Sequence, residues 1–287
     1  MPFLDWLFKK SSSMQTVEVS GIELAYRDEG AGPPILLIHA FPLSSAMWED
    51  QIDSLSARFR VIAPDLRGFG ATARGTGAAG IDQYADDLAS LLDQLKIERA
   101  TVAGLSMGGY IAFALLRRHP ARVERLILAD TRAGSDSDQA RQGRESSAQL
   151  AEAEGAGAIA TQMLPKLLVA GATDEVRDEV RKIIATNDRA GVAAALRAMA
   201  ARPDSTPMLA SIDVPTLIIV GSEDALTPPS ESRAMNAAIG GSRLVELAGA
   251  GHLSNLEAPD AFNAAIEEFI IGAQALGGAG GGLAGKW

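Results

Sequence analysis

The sequence predicts an α/β fold: a mostly parallel eight-stranded sheet flanked by helices, with a small helical insertion after the sixth strand. Three observations carry that prediction. Short β-branched or aliphatic runs alternate with longer helical patterns over most of the 287 residues, and strand–helix–strand order in repetition builds a parallel sheet. Inner runs such as ILLI at 35–38 and TLIIV at 216–220 are continuously apolar, which suits strands covered by helices on both faces. One stretch, from Ala133 to Leu209, breaks the alternation. It is rich in Ala, Glu and Arg, holds no aromatic residue and offers no strand.

The elements follow in order. Thr16–Val19 and Ile22–Arg27 flank Ser20 and Gly21, which predicts a hairpin. Strand Ile35–Ile38 leads into helix Ala46–Ala57, strand Arg60–Ala63 into helix Ile81–Leu95, and strand Thr101–Ala103 into helix Met107–Arg118. After the sixth strand, Val123–Ala129, helical spacing runs through Glu145–Glu154, Ala158–Leu168, Glu175–Thr186 and Val192–Ala201. Strand Thr216–Val220, helix Pro229–Ile239, strand Leu244–Leu247 and helix Pro259–Ile271 complete the body. The chain therefore divides into a core of 15–132 and 210–271 and a helical insertion of 133–209.

The two ends read as tails, 1–14 and 272–287. The first ten residues, MPFLDWLFKK, lack the form of a secretory signal: the apolar run is short, broken by Asp5, and followed rather than preceded by basic residues. Phe3, Leu4, Trp6, Leu7 and Phe8 offer at most a weak anchor to a membrane or partner. No run approaches the roughly 20 apolar residues of a membrane span. The Gly/Ala-rich C-terminal stretch buries too little surface to offset its ordering entropy, so it is expected to be flexible. The cytoplasm is the expected location.

Composition removes several chemistries. With no cysteine, disulfide scaffolds, zinc–thiolate sites, iron–sulfur clusters and cysteine nucleophiles are excluded. Twenty-six Lys and Arg against 36 Asp and Glu give a net charge of −10, which disfavours a broad nucleic-acid surface. Only three histidines, His39, His119 and His252, are available to any site that needs one.

One motif carries chemistry. Gly104-Leu105-Ser106-Met107-Gly108 follows a strand and opens a helix, the G-x-S-x-G setting in which a sharp turn lifts the serine hydroxyl above the sheet. A serine hydroxyl needs a general base. His252, in a small-residue loop after the last strand, is the candidate. Asp224, directly after strand Thr216–Val220, is the candidate to orient it, with Asp130 at the end of the sixth strand as the second possibility and Glu223 as a neighbour easily confused with it. All lie at carboxyl ends of parallel strands, where open α/β sheets place their sites. An oxyanion hole needs two N–H donors. Met107, after the serine, is one. In the loop His39-Ala40-Phe41-Pro42-Leu43, Pro42 has no N–H, so Phe41 is the other. His39 is expected to brace this loop, and His119 to end a helix.

These segments together resemble the α/β-hydrolase superfamily. The resemblance runs from about Gln15 to Ile271 and is carried by LLIHAFPLSSAMWEDQI, VIAPDLRGFG, VAGLSMGGYIAFALLRRHPARVERLIL, VPTLIIVGSEDALTPP and AGAGHLSNLEAP. It implies a nucleophile at Ser106, an acid at Asp224, a base at His252 and oxyanion donors at Phe41 and Met107. It also implies a structural turn at Asp65 to Gly70 and a cap domain in the helical insertion. Ala40 departs from the pattern, where glycine is common. The G-L-S-M-G-G elbow and short cap look most like the branch of 3-oxoadipate enol-lactonases, small carboxylesterases and cofactor-free haloperoxidase-type perhydrolases. Ser106 weighs against haloalkane dehalogenases and epoxide hydrolases, which resemble this family but attack with an aspartate.

The expected activity is hydrolysis of a small carboxylic ester or lactone through an acyl-enzyme, with no metal or organic cofactor. The alternatives are perhydrolysis on the same triad and ligand binding without catalysis. Trp48, Met163, Leu164, Leu167 and Leu168 are the candidates to line the pocket. Arg132, Arg141, Arg144 and Lys166 are the cations within reach of the insertion that a carboxylate-bearing lactone would need.

Overall fold

The computed structural model describes residues 13–75 and 80–277. Within them β1 (Gln15–Val19), β2 (Ile22–Glu29), β3 (Pro34–Ile38), β4 (Arg60–Pro64), β5 (Ala100–Leu105), β6 (Val123–Ala129), β7 (Thr216–Gly221) and β8 (Arg243–Leu247) form one sheet in the order β1-β2-β4-β3-β5-β6-β7-β8. The first two strands are antiparallel across Ser20 (φ 47°) and Gly21 (φ 76°), both left-handed as a two-residue hairpin turn requires. β2 also runs antiparallel to β4, and every pairing from β4 through β8 is parallel.

Strand alternation divides the apolar side chains between the two faces. Leu36, Ile38, Val102, Leu126, Leu128 and Ile218 join one cluster with α2 (Ile81–Gln94), α3 (Met107–Arg118) and α8 (Pro229–Ala238). Ile35, Leu37, Ala103, Ile127, Leu217 and Ile219 join another with α1 (Glu49–Leu55) and α10 (Pro259–Gly277), which contributes Phe262, Ile266 and Ile270. Each fully buried aliphatic side chain is worth about 1.5–3 kcal/mol of transfer free energy. The sheet is therefore a stiff platform, and its carboxyl edge can hold loops in fixed relation.

Four helices fill the stretch between β6 and β7: α4 (Asp138–Glu154), α5 (Ala156–Leu167), α6 (Asp174–Ala185) and α7 (Arg189–Ala200). Three begin at side-chain caps. Ser137 accepts from the Ala140 N–H at 3.2 Å, Thr173 from Val176 at 3.4 Å and Asp188 from Gly191 at 3.0 Å, each satisfying a donor the first turn leaves open. α4 stops at Gly155, whose φ of 88° ends the helix. α4 packs on α7 and α5 on α6. Ala148, Ala151, Val192 and Ala195 extend the first apolar cluster, while Leu164, Leu167, Val180 and Ile184 extend the second. Alanine allows close helix approach, so the insertion packs without an aromatic residue.

Two differences from the sequence reading stand out. α10 continues to Gly277 rather than giving way to a tail at Gly272. Propagating a helix already nucleated costs little, and Ala, Gln and Leu favour it. The four-residue helix α9 (Ser254–Glu257) was not predicted, being too short to show a periodicity. The expectations for the apolar N-terminal segment and for the Gly/Ala run after Gly277 lie outside the described residues. Among the described residues, no helix is long and apolar enough to cross a membrane.

Candidate active site

Ser106 occupies the joint between β5 and α3 with φ 57° and ψ −113°. A non-glycine residue there carries on the order of 1–3 kcal/mol of strain and persists only if its surroundings over-determine it. They do. Its N–H donates to Ala129 O at 2.9 Å, and its carbonyl accepts from Gly109 N–H at 2.9 Å and from Thr131 Oγ1 at 2.8 Å. The motif glycines make the joint possible. A Cβ on Gly104 would lie 2.2 Å from Gly108 O, and one on Gly108 would lie 2.2 Å from Ile38 O. The Ser106 side chain makes no helix-capping bond, which leaves the hydroxyl for other work.

That hydroxyl meets His252. Ser106 Oγ lies 2.8 Å from His252 Nε2, and Asp224 Oδ2 lies 2.9 Å from His252 Nδ1. The carboxylate is itself held within its own loop. Asp224 Oδ1 accepts from the Leu226 N–H at 2.8 Å and the Thr227 N–H at 3.0 Å, and Oδ2 accepts from Thr227 Oγ1 at 2.6 Å. Burial pushes the Asp224 carboxyl up, but His252 and the Thr227 donors outweigh it and hold the group below its ordinary value. A hydroxyl, an imidazole and an ionised carboxylate so linked can pass the serine proton to the ring and stabilise the resulting imidazolium. Asp130 does not compete for His252. Its Oδ1 accepts from the Gly221 N–H at 2.8 Å, its Oδ2 accepts from Ser254 Oγ, and burial pushes it up to about 7. Glu223 is exposed and contributes only its N–H, to Ala250 O at 2.9 Å.

The loop after β3 comes close to the start of α3, where a Cβ on Gly108 would lie 3.2 Å from His39 O. Met107 is the first residue of α3, so its N–H has no partner within the helix. Among the described residues the Phe41 N–H is also unpaired, and the Phe41–Pro42 bond is cis. His39 braces the loop from below. Its Nε2 accepts from the Leu66 N–H at 3.0 Å, so Nδ1 carries the proton and donates to Ala40 O at 3.0 Å. Burial pushes this imidazole down to about 4, which keeps it neutral and able to accept. Asp65 adds two ties, from Ser45 N–H and Ala71 N–H, both at 2.8 Å. Ala40 is fully buried, its methyl packed in the second apolar cluster. His119 caps the end of α3, with Nε2 2.7 Å from Asp86 Oδ1 and no part in this region.

A family model described as the alpha/beta hydrolase fold matches residues 33–259. The chain belongs to the α/β-hydrolase family. It is 32% identical over 263 residues to 3-oxoadipate enol-lactonase 2 of Acinetobacter baylyi, covering 91% of this chain and 96% of that one. A thermophilic esterase from Thermogutta terrifontis, solved with malate bound, is similar with a TM-score of 0.87 and 42% identity over 90% of this chain and 98% of its own. The enol-lactonase of Burkholderia xenovorans gives 0.84 and 36%, over 90% of this chain and 100% of its own. The branch named from the elbow and short insertion is thus the branch in which the hydrolase falls.

In this α/β hydrolase a cleft of about 360 Å³ opens between Phe41 and Leu226 and runs under the insertion past Arg132, Arg144, Met163 and Lys166. Met163 lines this cleft, and the other apolar candidates do not. Trp48 is only 1% exposed and packs on Phe262 with ring centroids 6.1 Å apart. Leu164, Leu167 and Leu168 pack into the second apolar cluster. Helical spacing identifies an apolar stripe, and here the stripe is spent joining the insertion to the core. Of the four cations, Arg141 pairs with Asp138 on the surface, away from this cleft. Arg132 and Arg144 both reach Asp136, which Arg202 also meets at 2.8 Å. Burial alone would raise the Asp136 carboxyl, but Arg144 and Arg202 pull it down to about 2. The cluster therefore sets three guanidinium charges against one carboxylate.

Three site-supporting residues escaped the sequence reading. Thr227, three residues after Asp224, had a local signal in the Asp-x-x-Thr spacing of a turn. Thr131 and Glu257 had none. Glu257 accepts from Val169 N–H at 2.7 Å and Gly251 N–H at 2.8 Å, tying the insertion to the His252 loop.

Proposed function

We propose that this α/β hydrolase is a serine hydrolase that cleaves a small carboxylic ester or lactone through an acyl-enzyme. The observation that carries the reading is the continuous chain Ser106 Oγ, His252, Asp224 at 2.8 and 2.9 Å, with the serine at a strained strand-to-helix joint. Ser106 attacks the substrate carbonyl while His252 Nε2 takes its proton. The oxyanion is received by the N–H groups of Phe41 and Met107, an interaction worth about 3 kcal/mol per donor in such sites. His252 returns the proton to the leaving oxygen, and water repeats the cycle on the acyl-enzyme. Asp224 stays ionised and holds the ring in the tautomer with its proton on Nδ1.

The insertion 133–209 serves as the cap, with the acyl portion beneath it. The cleft's surplus of positive charge, from Arg132, Arg144 and Lys166 against Asp136, favours an acyl portion ending in a carboxylate. The enol-lactonase names of relatives support this, as does the malate in a similar esterase. The deciding experiment assays wild type and Ser106→Ala on p-nitrophenyl acetate, short esters, neutral lactones and carboxylate-bearing enol-lactones, with mass detection of an acyl adduct on Ser106. Hydrolysis by wild type and its loss in the variant are expected. A variant retaining full activity would overturn the reading. Peracid formation that exceeds hydrolysis when peroxide is supplied would move the assignment to perhydrolysis.

A further inference from the structure

Among the described residues, one side chain of the insertion hydrogen-bonds the loop after β3. Asn187 lies in the turn between α6 and α7 and is 6% exposed. Its Nδ2 donates to Pro42 O at 2.7 Å and to Ile183 O at 3.2 Å, and its Oδ1 accepts from the Gly70 N–H at 2.8 Å. Both amide hydrogens and the amide oxygen are therefore engaged. The contacts join the insertion, the oxyanion loop and the turn after β4, stretches separated by 117 and 145 positions in the chain.

We propose that Asn187 is a positioning residue for the oxyanion hole, fixing the Pro42 carbonyl and with it the adjacent Phe41 N–H. This rests on the reading that Phe41 supplies an oxyanion donor. The inner side of the loop is held by His39, by the Leu43 N–H to Ala40 O bond at 2.9 Å, and by the Ala40 N–H contact with Met47 Sδ at 3.2 Å. None of these touches the Pro42 carbonyl. Among the described residues its hydrogen-bond partner is Asn187 alone.

A clamp is useful only if its own base is rigid, and this one is. The start of α7 lies directly against the turn after β4. A Cβ on Gly191 would lie 2.0 Å from Gly68 O, and one on Gly68 would lie 2.7 Å from Gly191 Cα. The two backbones touch, which leaves the turn carrying Asn187 little slack. The residue type follows from the partners. Pro42 O needs a donor and Gly70 N–H needs an acceptor, and one amide supplies both. A carboxylate in its place would face Pro42 O with no hydrogen, and a leucine would orphan both backbone groups in a buried setting.

The test compares Asn187→Leu and Asn187→Asp with Asp188→Ala, which removes the α7 cap one residue away without touching Pro42. Enzyme concentrations are set by titrating Ser106 with a fluorophosphonate, so each rate refers to folded, competent sites. Two quantities are read: kcat and KM on one ester, and the inhibition constant of a trifluoromethyl ketone. Ser106 Oγ adds to that ketone's carbonyl carbon, its proton passes to His252, and the hemiketal oxygen takes the negative charge in the oxyanion hole. Displacing a reacting geometry by about 1 Å costs up to roughly a hundredfold. The Asn187 variants are therefore expected to lose about tenfold to a hundredfold in kcat with KM within about twofold, and to weaken the ketone by a matching factor. Asp188→Ala is expected to melt earlier with kcat unchanged. If Asn187→Leu yields no competent sites, Asn187→Asp carries the comparison. Unchanged kcat and ketone affinity in the Asn187 variants would overturn the proposal. So would losses that Asp188→Ala reproduces, since those follow stability alone. Failure of the serine-hydrolase reading is separate, and would show as full activity in Ser106→Ala.

Discussion

Two halves of the candidate site, the turn that carries Asp224 and the loop that carries Phe41, are built on opposite principles. Asp224 is held by the N–H groups of Leu226 and Thr227 and by the Thr227 hydroxyl, all within three residues of it. The loop carrying Phe41 is held by Leu66 through His39, by Asp65 through Ser45, and by Asn187, residues 20 to 145 positions away. A carboxylate can collect local N–H donors as its turn forms, whereas a loop that must leave its own N–H unpaired needs distant groups to hold it. The Asp224 turn is therefore self-templated, while the His252 loop beside it is tied to the insertion through Glu257. The half that carries Phe41 takes its shape only when the insertion, the turn after β4 and the β3 loop have come together.

The two halves should fail differently. The largest effect is expected at the triad: Ser106→Ala or Asp224→Asn should lower kcat by roughly ten-thousandfold, measured on p-nitrophenyl acetate. Asp130→Asn should stay within about tenfold of wild type, because Asp130 does not reach His252. Equal losses at Asp130 and Asp224 would erase the distinction between orienting acid and loop support. Next, Thr227→Val removes one strong bond to Asp224 Oδ2 while the backbone donors remain. A drop of about tenfold in kcat at nearly constant melting temperature is expected, since hydrogen bonds to charged groups are worth about 1.5–3 kcal/mol. The double variant Arg144→Ala/Lys166→Ala should raise KM about tenfold for an ester with a carboxylate tail and leave a neutral ester within about twofold, in keeping with a lost contact to a charged group.

The smallest effects concern stability against pH, and they carry opposite signs in the two halves. Burial raises Asp130 from an ordinary 3.8 to about 7. Between those values the folded state binds more protons than the unfolded chain, so stability falls as pH rises. The gain in melting temperature from Asp130→Asn should grow from pH 4 to pH 7. Burial lowers His39 from 6.5 to about 4. Between those values the unfolded chain binds more protons, so its contribution is present above pH 6.5 and lost as pH falls through about 4. The advantage of wild type over His39→Gln should shrink over that range. Melting curves of the three proteins at pH 4, 5, 6 and 7 would check both signs.

The legible parts of the molecule share one property: their determinants are close in sequence. The hairpin at Ser20 and Gly21, the apolar strands and the G-x-S-x-G joint each depend on residues within a few positions of one another. Strand ends also narrowed the search for His252 and Asp224, because the carboxyl edge of a parallel sheet is one place. The pocket lining was misread for the complementary reason. Leu164, Leu167 and Trp48 are apolar residues on helical turns, and periodicity shows that such residues face something buried without saying whether it is a core or a cleft.

By itself, then, the sequence determined the strand and helix pattern, the family, the place of Ser106 at a strand-to-helix joint and a short list of groups that could meet it. These follow from local propensity, from the steric demand for glycine at the joint, and from the scarcity of histidine. Tertiary structure alone put Asp224 rather than Asp130 against His252, turned Arg132, Arg144 and Lys166 toward the cleft and Arg141 away from it, and placed Asn187 on the loop after β3. Each of those outcomes depends on which groups lie within about 3 Å across a long stretch of chain, and hydrogen bonds are decided at that range.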